Sequence, residues 1–246
     1  AYAPRVERPA WTQRDAAEEP AAPIVLRREP VSLSAEAIEA VGAAVRAERP
    51  DFEPRLAGLT FQKSAQPFFR RHTVVYANSA SPMPASFVVL ALGPAGEGRP
   101  LLLTKHVERL GAMAAADPPR DLDRLEIAQA YALYGSGWTT TAVHGEMRLT
   151  AFDHIPWLEL TPAERAEVEQ LRARFGGRVQ PEQALRTRGG WEFRSWVVAD
   201  RKLIERTITV PPDGRLERVD VVHHEDLRVP EGKYWGTRDG RHVPIG

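Results

Sequence analysis

Cysteine is missing from all 246 residues. Its absence excludes disulfides, thiolate metal sites, iron–sulfur clusters and cysteine nucleophiles together. It leaves the compartment open, because a chain without thiols folds equally well in oxidising or reducing surroundings. A surplus of either charge is missing too, since 33 Lys and Arg balance 33 Asp and Glu. Nucleic-acid proteins usually carry a basic surplus, and so do polybasic membrane-surface proteins; neither class fits. No apolar run reaches the roughly 18 residues of a membrane span. No positively charged start leads into an apolar stretch, so no intact signal peptide is expected. The expected location is aqueous, either cytoplasmic or exported with a signal peptide already removed.

What is present is enough apolar content for a core, 43% of residues, in a length that allows one large domain or two small ones. Residues 1–32 carry Pro4, Pro9, Pro20, Pro23 and Pro30. Proline lacks the amide donor and restricts its predecessor, so an extended tail poor in regular structure is expected. Leu33-Ser34-Ala35-Glu36 then reads as a helix start, with Ser34 as the cap and Ile38, Val41 and Val45 on one face. Strand-like runs follow at Leu56 to Lys63, Phe68 to Ala77, Ser86 to Leu92 and Leu101 to Leu103.

Asp117-Pro118-Pro119 reads as a boundary. A second helix is predicted through Leu122, Leu125, Ala128 and Tyr131, closed by Gly135. A strand is expected from Val143 to Phe152. Thr161-Pro162-Ala163-Glu164 is a capping box with proline at the first helical position, and Val168, Leu171 and Phe175 give that helix its inner face. Trp191 to Val198, Leu203 to Val210 and Leu216 to Val222 then form a second meander, joined by turns at Asp200 and at Pro211-Pro212-Asp213-Gly214. The expected fold class is α+β, with two helix-plus-curved-antiparallel-sheet modules, cystatin-like or NTF2-like, over residues 33–117 and 118–235. A short tail, 236–246, would follow.

The densest titratable cluster is His223-His224-Glu225-Asp226, whose functional reading is a metal site. On a strand the two histidines would face opposite ways, which favours an exposed strand end instead. His144, Glu146, Asp153 and His154 surround one predicted strand and are the candidates for acid–base chemistry. Ser136 between two glycines lacks the full nucleophile-elbow spacing. Trp191 and Trp196 have opposite parity on one strand, so one is expected to point outward as an interface residue. No residue pattern names a cofactor.

Pro30-Val31-Ser32-Leu33-Ser34-Ala35-Glu36-Ala37-Ile38, followed by Val45-Arg46-Ala47, resembles the opening of the second amino-terminal domain of copper amine oxidases. Met83-Pro84-Ala85-Ser86-Phe87-Val88-Val89-Leu90 is similar to the paired middle strands of that domain. Leu227-Arg228-Val229-Pro230-Glu231-Gly232-Lys233-Tyr234 resembles the exit of the family's third domain. Thr139 to Arg188 departs from the pattern and would have to be an insertion. The family's chemistry resides in a separate, larger domain, with a tyrosine after asparagine and copper held by His-x-His plus a third histidine. None of Tyr2, Tyr76, Tyr131, Tyr134 and Tyr234 follows asparagine, and no His-x-His occurs. The resemblance therefore implies a non-catalytic part.

Three functions compete at this point. The first is a non-catalytic accessory or assembly protein that docks on a larger protein partner, such as an oxidoreductase complex, or forms a homo-oligomer. The second is a small-ligand binder or enzyme using a pocket between helix and curved sheet. The third is a metal-binding protein using His223, His224, Glu225 and Asp226.

Overall fold

Two antiparallel sheets and four helices occupy the residues that the computed structural model describes: 19–20, 28–50, 56, 58–78, 87–94, 99–104, 106–139, 146–229, 235–238 and 241–244. One sheet is a meander of β2 (Arg28–Pro30), β3 (Thr60–Ser64), β4 (Thr73–Asn78), β5 (Phe87–Leu92) and β6 (Leu101–Leu102). The other runs in the order β1 (Glu19–Pro20), β8 (Gln183–Thr187), β9 (Gly190–Ala199), β10 (Lys202–Val210) and β11 (Glu217–His224). Within it β7 (Met147–Leu149) also pairs with β9. A separate hairpin joins β12 (Trp235–Arg238) to β13 (Arg241–Pro244). The helices are α1 (Ala35–Glu48), α2 (Val107–Ala116), α3 (Leu125–Thr139) and α4 (Pro162–Phe175). The class is α+β, as the order of elements implied.

Side-chain alternation stacks these elements in five layers. Val75, Ala77, Val88 and Leu90 face α1 and pack on Val41, Ala44 and Val45. Val74, Tyr76, Val89 and Ala91, one residue out of phase, face the opposite way. They join Leu110 and Met113 of α2 and Ala128 and Tyr131 of α3. The same cluster takes in Phe193, Ile208 and Val210 of the second sheet, so α2 and α3 lie between the sheets and bury a face of each. On the far side of the second sheet, Leu171 and Phe175 of α4 pack on Trp196, Val198 and Leu203.

Local signals account for most helix ends. Ser34 accepts the Ala37 N–H at 3.2 Å, and Thr161 and Glu164 form the reciprocal capping box at α4. Other elements differ from expectation. The proline-rich tail supplies two edge strands: β1 pairs with β8 and β2 with β3. Proline is tolerated there because an edge strand has N–H groups that need no ladder partner. Ile24, Val25 and Leu26, the apolar run of that tail and able by sequence to pair as a short strand or lie on a partner, lie outside the described residues. Helix α2 falls between Leu103 and Asp117, where no element was predicted. Helix α3 runs through Gly135 instead of ending on it. A Cβ there would lie 2.2 Å from Leu216 Cδ1, so this glycine admits a close side chain. Within the strand expected from Val143 to Phe152, whose first residues lie outside those described, the described strand is Met147–Leu149, followed by a 3₁₀ turn, Phe152–His154.

Asp117 follows α2 and is tied back to the first sheet. Its buried carboxylate accepts the backbone N–H groups of Arg70, Arg71 and His72 at 3.2, 2.7 and 3.0 Å, and meets His72 Nδ1 at 3.0 Å. Burial pushes this carboxyl up, but the bonds from His72 and the backbone outweigh it and hold it below its ordinary range.

Candidate functional site

Strand β11 ends its sheet, and β10 alone pairs with it among the described strands. Its register sets Arg206 opposite Asp220 and Ile208 opposite Arg218. Ile208 belongs to the core between the sheets, so Arg218, Asp220 and Val222 share that face, while Val219 and Val221 share the α4 face. Val219, Val221 and Val222 are 58%, 46% and 44% exposed. They are three of the five exposed large apolar side chains among the described residues, the others being Ile38 and Leu158.

Beneath this edge lies a four-charge cluster. Arg206 takes an apolar place in the alternation of β10, between Ile204 and Ile208, and is only 1% exposed. Its guanidinium grips Asp220 with two hydrogen bonds, Nε to Oδ1 at 2.8 Å and Nη2 to Oδ2 at 3.0 Å. It also donates to both oxygens of Glu146, from Nη2 at 2.8 Å and from Nη1. Arg218 donates to Asp220 Oδ2 at 2.6 Å and reaches Glu146 Oε1 at 3.4 Å. Two cations thus face two anions, the compensation a buried guanidinium needs.

The same contacts set the protonation of the cluster. Burial pushes Asp220 up, yet the bonds from Arg206 and Arg218 outweigh it and bring its pKa to about 2. Burial likewise opposes, and Arg206 and Arg218 reverse, the shift of Glu146 below its ordinary range. For Arg206, burial alone would lower the pKa, and the bonds to Asp220 and Glu146 raise it instead. Glu146 is therefore a fixed anion that orders the start of β7, not a group poised to exchange a proton near neutral pH.

Among the described residues, the acid–base candidates Asp153 and His154 do not join it. His144 lies outside the described residues. Asp153 pairs with Arg172 of α4 at 3.1 Å, and His154 Nδ1 shares a hydrogen bond of 2.7 Å with Thr150 Oγ1. Ser136 is buried within α3.

His223, His224, Glu225 and Asp226 separate to four different partners. Their strand does not keep simple alternation, because the register shifts between Leu203 and Ile204 and leaves His223 as the extra residue of a bulge. Both histidines consequently turn to the α4 face, where opposite faces were expected. His223 Nε2 meets Glu205 Oε2 at 2.9 Å. Its ring lies 4.9 Å from the Trp196 ring and 5.5 Å from Phe175. His224 points to Glu167 at 3.8 Å, Glu225 to Lys202 at 3.2 Å and Asp226 to Arg201 at 3.8 Å. Among the described residues no three His, Asp or Glu side chains gather to hold an ion.

Trp191 and Trp196 do occupy opposite faces of β9, but both faces are covered. Trp196 is buried under α4. Trp191 is half-buried against the core between the sheets, and its Nε1 donates to the Asp123 carbonyl at 3.3 Å.

Concave sites are modest. A cleft of about 290 Å³ opens between the turn after α4 and the second sheet, lined by Arg178, Arg194, Trp196 and Glu205 among others. Another of about 280 Å³ lies by Glu48, Arg99 and Arg109. Both are open, and both fall just below the range of about 300–1,000 Å³ usual for ligand pockets. No membrane-spanning helix occurs among the described residues. Comparison with protein-family models, curated proteins and solved structures finds no match to this chain.

Arg206, Arg218, Asp220 and the β11 valines escape a search for catalytic motifs. Arg206 was detectable from parity alone, as a charge on the apolar phase of Leu203 to Val210.

Proposed function

We propose that this chain is a non-catalytic docking protein that takes up an extended strand from a protein partner along the open edge of β11. The observation that carries this reading is the gathering of Val219, Val221 and Val222 on an edge that no described strand other than β10 pairs with. An open edge offers a row of free N–H and C=O groups, which natural proteins blunt with charged side chains, lysine above all, with proline, with a bulge or with a covering element; in β11 Arg218 and Asp220 are engaged in their own ion cluster and the bulge lies at one end, at His223. Residues 217–224 contain neither lysine nor proline. Added strands gain affinity from main-chain bonds and specificity from alternate side chains. Arg206, Glu146 and Arg218 stiffen the edge from beneath, which reduces the ordering cost of binding. Each sheet with its covering helix is read as a cystatin-like or NTF2-like module, the two in tandem akin to the non-catalytic second and third amino-terminal domains of copper amine oxidases.

The test is differential capture. Val219→Lys puts a charge on the edge at an exposed position. Tagged wild-type chain should retain a protein, a differently tagged copy of itself included, that the equally folded Val219→Lys chain loses. Equal retention by both chains would refute the reading.

A further inference from the structure

We propose that the strand β11 takes up is β11 of a second copy, running antiparallel with Val219 on the two-fold axis. This rests on the docking reading above and names the partner. Joining two edges into one sheet by a two-fold axis normal to it keeps the faces matched, so opposed residues share parity and their numbers have a constant sum. The axis must then pass through a residue.

Charge decides which one. With Glu217 on the axis two carboxylates meet, with Arg218 two guanidiniums, and with Asp220 two carboxylates again; like charges directly opposite are destabilising. With Val221 or Val222 on the axis, Arg218 finds no carboxylate within β11 of the other copy. With Val219 on the axis, Arg218 of each copy faces Asp220 of the other, and Val219, the most exposed of the three valines, meets its own copy. Asp220 already carries guanidinium contacts from its own Arg206 and Arg218, so the second copy extends a charge lattice that exists. The whole chain has zero formal charge, so two copies approach without net repulsion. The bulge at His223 ends the regular register on one side, which confines the pairing to the stretch around Val219.

The missing cysteine makes the test direct, since any disulfide must join introduced thiols. Opposed Cα atoms in an antiparallel pair lie about 4.5–5.5 Å apart, within the range of about 4.4–6.8 Å that a disulfide spans. Under mild oxidation Val219→Cys should give a covalent dimer on a non-reducing gel. Val221→Cys, set opposite Glu217, should give far less, and Leu158→Cys, exposed elsewhere, should give none. Light scattering of the unmodified chain should report twice its 27.4 kDa, and of Val219→Lys the single mass. A doubled mass with Val221→Cys as the better cross-linker overturns the register. A single mass with no Val219→Cys dimer overturns the second copy as partner. The docking reading still stands in that case if Val219→Lys loses a captured protein, and falls with it if nothing is lost.

Discussion

Removing the Arg206 guanidinium would leave Glu146 and Asp220 facing each other with Arg218 alone between them. Taking one partner from a buried ion group typically costs about 3–5 kcal/mol. Arg206→Ala should sit near the lower bound, because Arg218 remains and both carboxylates keep some solvent. Urea denaturation measures it; a loss below about 1 kcal/mol would mean that the cluster contributes little beyond an ordinary surface pair. Acid should act on the same groups. Asp220 has a folded pKa of about 2 against about 3.9 for an unperturbed aspartate. A depressed carboxyl adds stability that is complete above the unfolded value and lost as pH falls through the folded one. Glu146 and Asp117 are displaced in the same direction. The urea midpoint should therefore fall from pH 5 towards pH 2, and less steeply in Asp220→Asn. A wild-type midpoint unchanged between pH 6 and pH 3 would contradict this.

The elements show where sequence reasoning reaches and where it stops. The starts of α1 and α4 were readable because their signals are local: Ser34, and Thr161 with Glu164, satisfy free amides within one turn. Helix α2 was not readable, since its N-cap, His106, makes no side-chain cap bond. Its inner residues, Leu110, Met113 and Ala114, acquire meaning only once both sheets surround them. Gly135 read as a stop because its second role, room for Leu216, is a long-range fact. The histidine pair misled for a related reason: a bulge changes parity, and nothing in Val222-His223-His224 announces one. Gly190, by contrast, has a conformation that only glycine meets readily. Its φ is +124°, and a Cβ would lie 2.1 Å from the Val210 carbonyl oxygen. Gly190→Ala should cost about 2–3 kcal/mol and weaken the β8–β9 hairpin first; an unchanged melting temperature would show that the backbone there can shift.

At the scale of the molecule, the α+β class with its antiparallel sheets was legible in the order of elements, but the way the two halves of the chain meet was not. Helices α2 and α3 place one buried cluster against both sheets, and Tyr131 of α3 donates to the Gly214 carbonyl in the turn before β11 at 2.9 Å. Neither half can lose that cluster alone, so calorimetry should record one cooperative transition; two separated transitions would contradict the shared core. The surface follows the same economy. Charges balance over the chain and again within the cluster at β11, and that edge exposes Val219, Val221 and Val222 beside the charged Glu217, Arg218 and Asp220. Amide exchange on residues 217–222 tests the central claim most directly. In the unmodified chain at micromolar concentration the outward amides of β11 should exchange slowly, and in Val219→Lys they should exchange freely while β9 and β10 stay protected. Equal exchange in the two proteins would contradict strand addition at this edge.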